Sequence, residues 1–178
     1  ATVCRILERG GYQANPVLKT IKENIREGPV VHSDETGMSL FGKIHWLHTA
    51  SNSKLTYLHV DRHRGEAAMR TMGVLEGYKG HVIHDYLSSY YRIAELQHGL
   101  CSAHHISYLT CIYEEHGQQW AADMIALLLE AKKRKEREKA GGRCVGARTL
   151  DRLQERYFEI LEDGYAINPE PMRRPGQR

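Results

Sequence analysis

At 178 residues, the chain can bury one sizeable core with a helical appendage beside it. Its 41% hydrophobic and 26% charged residues are ordinary for a globular protein and exclude intrinsic disorder. No apolar run approaches the roughly 20 residues that cross a bilayer, and the opening ATVCRILERGGYQ lacks the apolar centre of a signal peptide, so a cytoplasmic location with no membrane partner is expected.

The first predicted element is a helix from Pro16 to Glu27, with Asn15 as N-cap, Pro16 at the first helical position, and Leu18, Ile21 and Ile25 on one stripe. Gly28 ends it, and the periodicity then becomes strand-like. Three strands follow: Val30 to Asp34 with an extension towards Leu40, Lys43 to Ala50, and Leu55 to Asp61, with turn signals at Gly42 and at Ser51 to Ser53. A helix is predicted from Gly65 to Glu76, because Ala68, Met72 and Leu75 share a face. A short strand, His81 to Tyr86, carries Asp85 near its end. Beyond it come a helix from Tyr90 to Leu96 and a strand from Gln97 to Ala103.

The rest reads as helical. Trp120, Ala121, Met124, Ile125, Leu128 and Leu129 form a broad apolar face on a helix that turns basic at Lys132, Lys133, Arg134, Lys135, Arg137 and Lys139. Gly141, Gly142 and Gly146 mark a break. Thr149 is a candidate N-cap for a last helix through Leu150, Leu153, Tyr157, Ile160 and Leu161, ending at Gly164. The tail INPEPMRRPGQR reads as extended or disordered and adds Arg173, Arg174 and Arg178 to the basic residues.

The net charge of +3 is too small to name an anionic partner, but the basic run at Lys132, Lys133 and Arg134 is a candidate DNA contact, against the plainer account of a solvated helix face. Cys4, Cys101, Cys111 and Cys144 are scattered without a CxxC pair, which points to reduced thiols. His104 and His105, with Cys101 and Cys111 nearby, allow a zinc reading, while a structural or DNA-facing role needs fewer coincidences. Arg62 and Arg64 are candidate phosphate contacts or solvated loop residues.

Asp34 and Asp85 each stand near the end of a predicted strand. Acids at strand ends of an α/β sheet point into the crevice where ligands bind, and two together suit Mg²⁺ or Mn²⁺. Such a site performs phosphoryl transfer without a nucleophilic side chain. Taken singly, an aspartate at a strand end is more often a turn former or a helix cap. Glu35 and Thr36 follow Asp34 and are candidates for orienting it.

The segments VVHSDETG, KIHWLHTA, DRHRGEAAM, GHVIHDYLSSYYR and HGLCSAHH, in that order, resemble the insertion-sequence transposases of the sixty-six family, DDE-type enzymes of bacteria. The resemblance covers Pro29 to Leu109 and continues through QQWAADMIALLL and RYFEILEDG. It implies an α/β fold, a ribonuclease H-like mixed sheet with flanking helices, plus a helical insertion or appendage in the C-terminal part. The expected division is a helical lead-in over 1–28, a partial catalytic core over 29–109, a helical insertion over 110–165 and a tail or linker over 166–178. The resemblance also implies that Asp34 and Asp85 are the first two acids of the triad, holding Mg²⁺ or Mn²⁺. DNA, as transposon ends and target, is the implied partner, with a homo-oligomer in the full-length transposase and a nucleoid association when DNA is bound.

Two departures qualify it. The family's third acid, a glutamate, lies beyond a proline-rich stretch like the one in this tail, so it is expected to be missing and the fragment inactive alone. Glu114, Glu115 and Glu130 are acids of the helical region but lack the family's context. Ser107 and Tyr108 replace the arginine and glutamate usual after CSAHHI, which suggests a decayed or truncated copy. The alternative function is a non-catalytic nucleic-acid-binding or interaction module that works through the basic helix and the histidines. It predicts DNA binding that ignores divalent ions and survives Asp34→Ala.

Overall fold

Alternating strand residues build a five-stranded sheet in the order β3-β2-β1-β4-β5, with β1 (Val30–Leu40), β2 (Lys43–Ser51), β3 (Thr56–Asp61), β4 (His81–His84) and β5 (Gln97–Leu100). The computed structural model describes residues 2–93 and 96–169, and the chain divides between Cys101 and Ser102 into two compact units. β1, β2 and β3 form an antiparallel meander, whereas β4 runs parallel to β1 and β5 parallel to β4. This is the mixed, ribonuclease H-like sheet expected from the sequence. The β1–β2 hairpin turns on Phe41 and Gly42, at φ of 52° and 73°, the two left-handed positions that a tight hairpin following the sheet's twist demands.

The first helix, α1 (Thr2–Arg26), runs straight through the predicted N-cap and carries Pro16 inside it. Ordinary helix formers such as Arg5, Leu7 and Glu8 stand upstream of the proline and favour the helix there, although Pro16 forfeits its own N–H bond. Ile25 is its buried anchor, and Arg26 donates from Nη1 to the Gly73 and Val74 carbonyls at 2.9 and 3.0 Å. The helix α2 (Glu66–Met72) ends four residues earlier than Glu76 because Gly73, at φ 69°, returns its N–H to Met69 O. The predicted helix from Tyr90 is a single 3-10 turn, Tyr90–Arg92, followed by extended Ile93. One core joins Val31, Ala50 and Val82 of the sheet to Ile25, Met69, Met72, Val74, Leu75 and Tyr90. Gly80 passes so close to its neighbours that a Cβ there would lie 2.5 Å from Pro29 O.

The second unit is helical, with α3 (Ser102–His116), α4 (Gln119–Ala140) and α5 (Ala147–Ile167). Leu109, Ala121, Met124 and Leu127 make its core, supported by Leu153, Tyr157, Ile160 and Leu161. Burying each such side chain contributes about 1.5 to 3 kcal/mol. The last helix starts two residues before Thr149, after extended Gly146, and continues past Gly164. Gly164 packs instead of terminating: a Cβ there would lie 3.1 Å from the Trp120 ring. Gln118 and Asn168 exchange side-chain amide hydrogen bonds of 3.0 and 2.8 Å. The tail from residue 170, including Arg173, Arg174 and Arg178, lies outside the described residues.

Candidate active site

The pleat of β1 decides which acid faces which way. Val31, Ser33 and Glu35 are buried while His32, Asp34 and Thr36 are exposed, as a period of two requires. Asp34 thus stands on the open face, where its Oδ1 accepts the Glu35 N–H at 2.9 Å and its carbonyl accepts the Thr49 hydroxyl at 3.2 Å. Asp85 follows β4 directly and is nine-tenths buried; its Oδ1 accepts the Leu87 N–H at 2.8 Å, the side-chain turn that closes the strand. β1 and β4 pair from Val30 beside His81 to His32 beside Ile83, so Asp34 and Asp85 each stand two residues beyond the last paired rung.

Asp85 Oδ2 keeps different company. It lies 3.7 Å from Arg64 Nη2, while the same guanidinium donates from Nε to Glu35 Oε1 at 3.2 Å and sits over the Trp46 ring, 4.8 Å from its centroid. The Glu35 side chain is fully buried. Its Oε2 accepts the Tyr90 hydroxyl at 2.8 Å. The Tyr90 oxygen is also 3.2 Å from Ser33 Oγ, whose own hydroxyl donates to Thr49 O at 3.0 Å. Burial, and then the Glu35 charge, push the Tyr90 phenol far above its ordinary value, so it stays a committed donor.

His84 lies fully buried behind Asp85. Its Nδ1 bonds the Asp85 carbonyl, which can only accept, so that nitrogen carries the proton. The opposite nitrogen, Nε2, faces His98 Nδ1 at 2.9 Å and must accept. The ring stacks on Tyr90, with centroids 4.2 Å apart and planes 15° from parallel. Burial depresses the His84 pKa, and His98 adds to the effect.

The remaining residues singled out by sequence are spread more widely. Thr36 is exposed on β1, and Arg62 is exposed on the loop that follows β3. His104 and His105 belong to the first turn of α3, and Lys132, Lys133 and Arg134 to α4, in the second unit. Glu130 is bonded by Arg156 at 2.7 Å. None of the four cysteines forms a disulfide, and no group of three or more His, Cys, Asp or Glu side chains suited to a metal occurs among the described residues. Ser33, Tyr90, His84 and His98 were not anticipated. For Ser33 and Glu35 a signal existed: both continue the inward alternation begun by Val31, so two polar side chains were due in the core. Nothing local in SSYYR announces Tyr90 as their partner.

Among the described residues no helix is long and apolar enough to cross a membrane. No curated protein matches the chain significantly. Among solved structures, the HTLV-2 integrase catalytic core domain in complex with magnesium, in a trimeric form, aligns at 10% identity and a TM-score of 0.34, covering 82% of this chain and 88% of that one. The simian T-cell lymphotropic virus intasome in complex with PP2A regulatory subunit B56 gamma aligns at 9% identity and a TM-score of 0.32, covering 84% of this chain and 51% of that one. The family described as Transposase IS66 family matches residues 1–168, and the chain belongs to that family.

Proposed function

We propose that this chain is the part of a DNA transposase that cuts and joins DNA strands by metal-dependent phosphoryl transfer, with Asp34 and Asp85 as two of its metal-binding acids. The observation that supports the reading is the parallel β1–β4 pairing, whose last rung, His32 beside Ile83, lies two residues before each aspartate. The donors fit a hard cation, being carboxylate oxygens suited to Mg²⁺ or Mn²⁺. The Glu35 N–H holds one oxygen of Asp34 and the Leu87 N–H one oxygen of Asp85, so a backbone donor orients each carboxylate. When bound, such an ion activates the attacking oxygen and neutralises charge building on the phosphate. The first displacement by water would free a 3′-hydroxyl, and the second, by that hydroxyl, would join it to target DNA.

Two acids leave a triad incomplete, so residues 1–178 alone should show little strand transfer. Supplying a longer chain that adds the third acid should restore it, and Asp85→Asn should remove it again; activity indifferent to Asp85→Asn would defeat the reading. DNA and further copies of the transposase are the proposed partners, in the bacterial cytoplasm and on the nucleoid.

The second reading is a binding module without chemistry. It is favoured by Lys132, Lys133, Lys135, Arg137 and Lys139, all exposed along α4. DNA binding that survives Asp34→Ala and ignores Mg²⁺ would select it.

A further inference from the structure

Arg64 is tied to its two acids unequally. To Glu35 it makes a hydrogen bond at 3.2 Å, against a carboxylate that is fully buried and held from the other side by Tyr90 at 2.8 Å. To Asp85 it makes an ion pair of 3.7 Å, too long for a hydrogen bond. The Trp46 ring lies 4.8 Å from the guanidinium carbon and attracts it, and the side chain is still 42% exposed. Arg64 is therefore anchored at its Glu35 end and reaches loosely towards Asp85.

A buried carboxylate without a counter-charge is costly, and Asp85 is nine-tenths buried. We propose that Arg64 is the resident counter-ion of the acidic site: it compensates Asp85 while no divalent ion is bound, yields Asp85 Oδ2 when one binds, and stays on Glu35 throughout. The inference rests on the reading of Asp85 as a metal ligand. It makes Arg64 a positioning residue that sets the affinity for the ion, a role distinct from contacting phosphate. A guanidinium so near repels an incoming cation, and its Coulomb effect at a half-exposed site amounts to one or two powers of ten at most.

The test is Mn²⁺ binding to the full chain without DNA, followed by the loss of the free-ion paramagnetic signal, for the unaltered protein, Arg64→Gln, Arg64→Lys and Asp85→Asn. Circular dichroism checks that each variant is folded. Arg64→Gln is expected to bind about tenfold more tightly, Arg64→Lys within a few-fold of the unaltered protein, and Asp85→Asn at least tenfold more weakly. If Asp85→Asn weakens binding but Arg64→Gln leaves it unchanged or weakens it too, the counter-ion role is overturned while the metal site stands. If Asp85→Asn binds Mn²⁺ as the unaltered chain does, Asp85 is no ligand, and both the site reading and this inference fall.

Discussion

The Tyr90 hydroxyl donates to Glu35 Oε2 at 2.8 Å, joining the 3-10 turn after β4 to the middle of β1. Both groups are buried, so neither can exchange the other for water. Tyr90→Phe keeps the ring stacked on His84 and deletes only this donor. It should cost about 1 to 3 kcal/mol, read as a lower urea midpoint with an unchanged slope. Tyr90→Ala should cost more, about 3 to 5 kcal/mol, because it also opens a cavity.

Replacing either aspartate tests the site from the ligand side. Asp34 is exposed and its Oδ1 accepts the neighbouring Glu35 N–H, a bond that an asparagine oxygen can also accept, so Asp34→Asn should change stability in the absence of metal by about 0.5 kcal/mol or less. In the proposed site it should still abolish any rise in melting temperature produced by Mg²⁺ or Mn²⁺. A rise that persists in both Asp34→Asn and Asp85→Asn would place the ion elsewhere.

Two histidines fix the direction of the pH dependence. Burial lowers the pKa of His59 and of His84 below the ordinary imidazole value, so the unfolded chain takes up their protons more readily than the folded one. Stability from these residues is complete above about pH 6.5, the unfolded value, and is lost as the pH falls through the lowered folded values. Urea midpoints should therefore drop between pH 7.5 and pH 5.5. His84→Gln should flatten that slope if His84 carries a principal share.

The basic face of α4 offers a second readout. Lys132 and Lys133 are exposed and Arg134 is half-buried, and Lys132 has only a 4.0 Å pairing to Glu136. If DNA binds here, changing all three to Gln should lower the salt dependence of log K by about 0.9 for each phosphate contact removed. An unchanged salt slope would assign these residues to solvent.

Glycine packing gives two controls, one in each unit. Gly80→Ala would press a methyl against Pro29 O, a backbone atom 2.5 Å away, and should cost about 1 to 3 kcal/mol or more. At Gly164 the added carbon meets the Trp120 ring at 3.1 Å, where the neighbour must give by only a few tenths of an ångström. Gly164→Ala should cost less, and comparing the two melting curves checks the order.

Much of the sheet was legible, because period-two alternation and the turn residues at Gly42 and at Ser51 to Ser53 are local signals. The failures have local and distant causes. Pro16 and Asn15 imitate a helix start, yet the chain is helical on both sides. Gly73 could not be told from an ordinary helix residue without its φ, and Gly164 resembled a stop because its partner, Trp120, is distant in sequence. At the site, the inward positions of Ser33 and Glu35 were readable from Val31. Their partners were not: Tyr90 and Arg64 reach Glu35 from 55 and 29 residues away, and no spacing rule encodes such contacts.

The short reach of β4 divides β1 into two kinetic regimes. Val30 and Val31 are paired to β4 alone, His32 to both β4 and β2, and the rungs from Ser33 outward to β2 alone. Beyond Gly37 the ribbon also outruns β3, whose pairing stops at Trp46. Amide exchange should therefore quicken stepwise from the base of the hairpin to Phe41, since opening the tip breaks only hairpin rungs. Asp34 stands two residues from the doubly paired His32 and at the base of the hairpin, so the tip can breathe without moving the backbone that carries Asp34.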